Sequence, residues 1–335
     1  MLAELAGRRV LLLQGPAGPF FERVARHLGR LGCEVTKVNF NSGDDLFYRR
    51  PGVVRYRGTR EEWPRFLRDL LDARRASAVV LFGDCRPLHR AAIEVLAAAG
   101  VDVYVFEEGY LRPDFVTFEK GGVNGFSSVP KDAGFYRRIR TRKLAEPRPV
   151  RHAFLNAALF TVAYACAQAA LRFRYPHYRH HRDIRPFYQG GLWFRSGVRR
   201  VLCTLRDRKL NRRLERGEMP PYFFVPLQVS LDSQMQHCPF PTIEVFIEHV
   251  VRSFARHAPR DTVLVFKHHP FDRAYRDYGA WIAKLASELG LGQRLIYADA
   301  IHIPAALKGA LGTVVMNSTV GVSSMHHGTP VMCLG

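Results

Sequence analysis

The sequence predicts an α/β protein made of two units of parallel strands and helices. Three observations carry this. Short apolar runs alternate with amphipathic stretches toward both ends of the chain, which is the pattern of βαβ units. A basic, helical stretch separates the two alternating regions. The 335 residues are 47% hydrophobic and 24% charged, enough apolar surface for two cores and too much for a disordered chain.

The elements follow in order. "RRVLLLQG" reads as a first strand, and "PAGPFFERVARHLGRLG" as a loop and then a helix with Phe21, Val24, Ala25 and Leu28 at helical spacing. "CEVTKVNF" is a second strand, "REEWPRFLRDLLDARR" a helix, and "ASAVVLFG" an apolar strand. "HRAAIEVLAAAG" is a helix stopped by Gly100, and "VDVYVFEEG" a further strand. The scheme returns with "YFFVPLQVS" (strand), "TIEVFIEHVVRSFARHA" (helix), "DTVLVFKHH" (strand) and "YGAWIAKLASELG" (helix). It ends with "RLIYAD" (strand), "HIPAALKGA" (helix), "LGTVVMNS" (strand), "VGVSSMHHG" (helix) and "TPVMCLG" (strand). The domains expected are 1–131, a basic helical segment over 132–219, and 220–335. Because the last strand stops at Gly335, the chain is expected to continue and complete that domain.

Charge is regional. Of 50 Lys and Arg residues, 20 lie between Arg137 and Arg213 with only three acids, a local net charge of +17 in a chain of +20. Such a balance fits nucleic acid or an anionic membrane. The same region holds the uncharged run Ala153 to Leu171, which just reaches the ~20 residues of a bilayer span. Asn156, Thr161, Gln168 and several alanines dilute it, and basic residues flank both ends. A helix in the membrane interface, a buried core helix and a true span are all compatible with it. Six scattered cysteines without CxxC spacing give no zinc knuckle or redox pair. The N-terminus lacks the pattern of a secretory signal, so the reducing cytoplasm is the expected compartment.

Ligands of open parallel sheets bind beyond the C-terminal ends of the strands. Polar residues crowd those positions: Gln14 and Gly15; Asn41; Asp84 and Arg86; Glu107, Glu108, Tyr110 and Arg112; Gln228, Asp232 and Gln234; Lys267, His268, His269 and Pro270; Asn317, Ser318 and Thr319. One such cluster would pass as a solvated turn. Seven point to a ligand. Asn317–Thr319 before a helix, with Gly321 allowing close approach, reads equally as a phosphate site or an N-cap. P-loop and dinucleotide patterns are missing. Carboxylates at Asp232 and at Glu107 and Glu108 suit glycosyl transfer, though Asp232 could also be a cap. The histidines of "KHHP" are adjacent and diverge, so an anionic ligand fits them better than a metal.

Together "LLLQGPAGPFF", "KVNFNSGDDLFY", "GDCRPLHR", "FEEGYLRPDFVTFE", "VPLQVSLDSQ", "KHHP" and "NSTVGVSSMHHGTPV" resemble the bacterial capsule polysaccharide biosynthesis and export family. That family includes β-Kdo glycosyltransferases that begin lipid-linked capsule chains, and the branch most resembled is the single-module one that places the first Kdo. The resemblance implies a GT-B-like fold of two Rossmann-like domains, an acceptor-side N-terminal domain, and a C-terminal domain that binds CMP-β-Kdo without a metal or other cofactor. It maps His269 and Pro270 onto a CMP-binding pair and Ser318 and Thr319 onto a phosphate loop. By the same resemblance Asp232 is the nucleophile of a retaining double displacement and Glu108 or Glu107 the acid/base. Gln228, Gln234, Lys267, His268, Asn317 and Gly321 fall on the donor side, and Gln14, Gly15, Asn41, Asp84, Arg86, Tyr110 and Arg112 on the acceptor side. The implied partners are a CMP-sugar, a phosphatidylglycerol-type acceptor, the inner-membrane surface and other capsule synthesis or export proteins. Localisation would be cytoplasmic and peripheral on that membrane. A nucleic-acid binder and a non-catalytic export scaffold are the alternatives; cleft carboxylates and the lack of an RNP or helix-turn-helix pattern disfavour the former.

Overall fold

The computed structural model describes residues 2–110, 115–139, 152–180, 186–230, 235 and 237–335. They form two compact units that divide between Tyr188 and Gln189.

The first unit runs β1 (Arg9–Leu13), α1 (Phe20–Arg30), β2 (Glu34–Asn39), α2 (Ser42–Phe47), β3 (Val53–Arg55), α3 (Trp63–Arg74), β4 (Ala78–Phe82), α4 (Pro87–Ala98), β5 (Asp102–Glu108), β6 (Val116–Lys120), α5 (Ala133–Arg138) and α6 (Ala153–Ala170). Its sheet has the order β3-β2-β1-β4-β5-β6, parallel except for β6. The long helix α7 (Pro186–Arg216) begins at the boundary. The second unit continues with β7 (Tyr222–Pro226), α8 (Ile243–His257), β8 (Val263–Lys267), α9 (Gly279–Glu288), β9 (Leu295–Ala298), α10 (Ile303–Gly309), β10 (Gly312–Val315), α11 (Val320–His326) and β11 (Val331–Cys333). Its sheet, β11-β10-β7-β8-β9, is parallel throughout. Read from the β9 edge, this is the connectivity of β3-β2-β1-β4-β5 again. The α/β class and its parallel sheets are therefore as the sequence predicts.

The central strands are apolar on both sides because helices cover both faces. Leu11 and Leu13 face Val38, Val79 and Leu81 on one side, while Val10 and Leu12 face Phe21, Ala78 and Val80 on the other. In the second unit Leu264 and Phe266 join Ile247 and Val251, whereas Val263 and Val265 join Phe224 and Leu307. Truncating one such side chain to alanine costs about 2–5 kcal/mol.

Several features escape the simple alternating reading, the three-residue strand β3 among them. β6 is a short antiparallel edge strand, whose five residues "VTFEK" lie in the sequence between the turn residues Pro113 and Asp114 on one side and Gly121 and Gly122 on the other. α2 forms where a polar loop was expected, because Asn41 Oδ1 accepts from the Gly43 and Asp44 amides (2.8 and 3.1 Å) and starts a helix. The described part of 132–219 forms no body of its own. α6 packs on α2 in the first unit, and α7 packs on the second. At the N-terminal ends of the strands, Gly100 and Gly290 close α4 and α9 with left-handed φ of +65° and +63°, and nothing stands within 4 Å of the side chain each lacks.

Candidate functional site

In each sheet the connection order reverses once, between β1 and β4 and between β7 and β10. The strand ends flanking these points are where an α/β unit receives a ligand.

In the first unit, β1 and β4 deliver Gln14–Gly18 and Gly83–Arg86. Gln14 is buried and donates to the hydroxyls of Tyr164 (3.2 Å) and Tyr178 (2.7 Å). Asn41 donates to the Tyr164 hydroxyl at 2.6 Å, and that hydroxyl donates to Asp44 Oδ1 at 2.9 Å. Tyr175 donates to Asp45 Oδ2 at 2.8 Å, and Ser42 to the Leu171 carbonyl at 3.1 Å. So Gln14 and Asn41, expected to face an acceptor, are occupied by α6 and the turns after it. Gly43 permits this: a Cβ there would lie 2.6 Å from the Tyr164 ring. Gly15 packs close to Phe21, where a Cβ would stand 3.2 Å from the ring.

Lys37, on β2, is buried beneath this cover. Its ammonium donates to the Val38 carbonyl (2.7 Å) and Asn39 Oδ1 (2.8 Å), and burial lowers its pKa to about 8. Burial likewise raises the Asp44 carboxyl. His89 is fully buried, with Nδ1 2.7 Å from the Gly83 carbonyl, and burial pushes its pKa down to about 3, so it is neutral. Arg86 Nη1 donates to the Gly15 carbonyl at 3.1 Å. A Cβ on Gly83 would lie 3.4 Å from Glu107 Oε2 and 3.6 Å from Arg86 Nε, so Glu107 turns toward the crevice. Glu108, next on the strand, turns to the other face and is exposed. Burial raises the Glu107 carboxyl above the usual carboxylate range. Asp84 is buried and accepts from the Val123 amide at 2.9 Å, a structural duty. Tyr110 is exposed and donates to Asn124 Oδ1 at 3.2 Å. Arg112 lies outside the described residues.

In the second unit, β7 and β10 bring Gln228 beside Asn317, Ser318 and Thr319, and the neighbouring β8 adds "KHHP". Gln228 is buried, and Asn317 donates to Cys238 Sγ at 3.0 Å. Ser318 Oγ accepts from the Val320 amide at 3.3 Å, while Thr319 starts α11 without a side-chain cap. Gly321 serves packing rather than ligand approach: a Cβ there would meet Val315 at 3.2 Å and Val331 at 3.4 Å. Lys267 and His268 also differ from expectation. Both point into the protein because they close a strand covered on both faces. The Lys267 ammonium donates to the His268 carbonyl at 3.1 Å, with its pKa lowered to about 8 by burial. His268 shares a 2.8 Å hydrogen bond with the Tyr297 hydroxyl, and its Nε2 lies 4.0 Å from Asp299 Oδ1; burial lowers its pKa. His269 and Pro270 remain at the surface, His269 Nδ1 accepting from the Phe271 amide at 3.2 Å. Asp232 and Gln234 lie outside the described residues.

Sequence reasoning passed over Asp272. Fully buried, it accepts from the Ser230 amide (2.8 Å), the Ser230 hydroxyl (3.0 Å) and the Tyr278 hydroxyl (3.3 Å). It therefore anchors the loop that leads into Asp232. Its signal was its place in "KHHPFDR", two residues past the proline. Among the described residues no three His, Cys, Asp or Glu side chains converge as a metal set.

Two sheets of one connectivity, each with a polar cluster at its reversal point, define a two-unit α/β protein with Rossmann-like units. Residues 77–335 match the sequence family described as capsule polysaccharide biosynthesis protein. The Escherichia coli capsule polysaccharide export protein KpsS is 38% identical over 99% of this chain and 85% of its own. The Neisseria meningitidis serogroup B capsule polysaccharide modification protein LipB is 38% identical over 98% of this chain and 81% of its own. The chain belongs to the capsule polysaccharide biosynthesis protein family. Among solved structures, Thermosulfurimonas dismutans KpsC, titled a beta Kdo 2,7 transferase, aligns over 97% of this chain and 78% of its own. The two share 14% identity at a TM-score of 0.45.

Proposed function

We propose that this protein is a retaining glycosyltransferase that moves Kdo from CMP-β-Kdo to a phosphatidylglycerol-type lipid, beginning a capsule chain at the inner-membrane surface. The observation that carries this reading is family membership joined to the second unit's strand ends, where His269, Pro270 and Ser318 stay near the surface beside the Asp272-anchored loop. In this reading the second unit holds the nucleotide and Asp232 attacks the sugar's anomeric carbon, expelling CMP. A lipid hydroxyl, giving up its proton to a carboxylate base, then displaces the aspartyl ester and restores the original anomeric configuration. No metal or organic cofactor is required.

The test is purified protein with CMP-Kdo and phosphatidylglycerol vesicles, with and without EDTA. Transfer survives EDTA and falls by several orders of magnitude in Asp232→Asn. Near-normal turnover in that variant rules out the nucleophile. The E. coli relative, a capsule polysaccharide export protein, favours one second reading, a non-catalytic role in capsule export; no transfer from any CMP-sugar by a folded protein would support it.

A further inference from the structure

α6 and α7 each carry an outward apolar stripe opposite the face that packs on their own unit. On α6 the packed side is Phe160, stacked edge-on against Phe47 with centroids 5.5 Å apart, and Tyr164. On the far side lie Leu155, Leu159 and Val162, between 41% and 57% exposed. On α7 the packed side is Cys203, Asp207 and Leu214. The Asp207 carboxylate accepts from the Asp299 and Ala300 amides at 2.8 and 2.9 Å. Its far side carries Phe194, Val198, Val201 and Leu205, between 44% and 75% exposed. Both stripes follow the i, i+4, i+7 spacing that puts side chains on one side of a helix. In both helices the outward stripe is offset by two residues, about 200°, from the packed face.

Exposed apolar rows of this length mark contact surfaces. Their charge selects the partner. From Pro147 to Asp207 the only acids in the sequence are Asp183 and Asp207, and the Asp207 carboxylate is turned inward. Exposed Arg172 and Arg179 follow α6, and Arg195, Arg200, Arg208 and Arg212 lie along α7. Over that stretch the described residues set apolar side chains among arginines with no exposed carboxylate, which fits the headgroup region of an anionic bilayer. Among the described residues no helix is long and apolar enough to cross a membrane.

We propose that the protein attaches to anionic membranes bivalently, one contact on each unit: the α6 stripe on the first and the α7 stripe on the second. Each stripe alone is short and binds weakly. Joined in one chain, the second contact forms at high effective concentration, so the pair binds far more tightly than either. The proposal deepens the lipid-acceptor reading above, but its readout needs no sugar transfer. A protein that binds vesicles without transferring Kdo sinks that reading alone.

The experiment is co-sedimentation with phosphatidylcholine vesicles that contain phosphatidylglycerol. One variant carries Leu155→Gln, Leu159→Gln and Val162→Gln; a second carries Phe194→Gln, Val198→Gln, Val201→Gln and Leu205→Gln; a third combines them. Each single-stripe variant is expected to lose about tenfold or more in affinity, and the combined variant to fall to the level of pure phosphatidylcholine. Because the stripes are exposed, melting temperatures should hold. A milder pair, Arg195→Gln with Arg208→Gln, should weaken binding and flatten its salt dependence. Wild-type affinity in either single-stripe variant overturns the two-contact proposal. So does a wild-type dimer that the substitutions make monomeric while vesicle binding is unchanged, since the stripes would then meet a second copy.

Discussion

Lys37 on β2 and Lys267 on β8 sit on the second strand of their respective sheets, and both are buried with a pKa of about 8. A buried histidine, its pKa lowered by burial, accompanies each, His89 in one unit and His268 in the other. What covers the strand ends differs. In the first unit a distant helix folds back, and Tyr164 fills the space among Gln14, Asn41 and Asp44. In the second the cover is local: a loop pinned by Asp272, with His269 and Ser318 left near the surface. The contrast teaches that polar residues at strand ends can serve two ends with one connectivity. They build a dock for the chain itself in one unit and a framed surface in the other.

The sharpest way to break the comparison is to remove the second unit's anchor. Asp272→Ala deletes the acceptor for three donors in a fully buried position and leaves them unpaired. It should cost about 2–4 kcal/mol in urea unfolding, and transfer should drop beyond what the remaining folded fraction explains. Unchanged stability would mean that the loop holds itself.

The first unit's dock is tested next. Gly43→Ala forces a methyl against the Tyr164 ring and should cost about 1–3 kcal/mol. Paired with Tyr164→Ala, the methyl meets no ring, so its own cost should nearly vanish. A double-mutant cycle read from melting curves checks this coupling; additive costs would show that the ring does not limit position 43.

The smallest effect concerns what the units share. Below about pH 8 both lysines are charged inside the protein, at a cost. The unfolded chain keeps those protons up to about 10.5. Between the two values the unfolded state binds more protons, so stability rises with pH. Lys37→Met and Lys267→Met should each be more stable than the parent at pH 7 by about 1–2 kcal/mol, with the gain shrinking as pH approaches 10. A pH-independent difference would show that hydrogen bonds, not charge, set the balance.

Much of this was legible in the sequence. Most strands and helices follow from apolar periodicity, β3 and β6 excepted, and the polar clusters lie at strand C-terminal ends. What those polar residues face was not legible. Gln14 and Asn41 look like ligand contacts because nothing local shows that Tyr164 will reach them. Lys267 and His268 were placed toward a ligand because a strand's alternation says which residues differ in side, not which side is the interior. The run from Ala153 to Leu171 left three readings open because it is apolar all round. The structure shows why: one face packs on α2 and the opposite face is exposed.

The turns at Gly100 and Gly290 lie at the far ends of their sheets, in open space and away from both reversal points. They are accordingly the natural places for a reporter. A short labelled insert at either turn adds loop entropy that grows only slowly with its length, and it meets neither the Tyr164 dock nor the Asp272 anchor. One tag in each unit would let a fluorescence measurement follow the two bodies separately on a vesicle, with both crevices left intact.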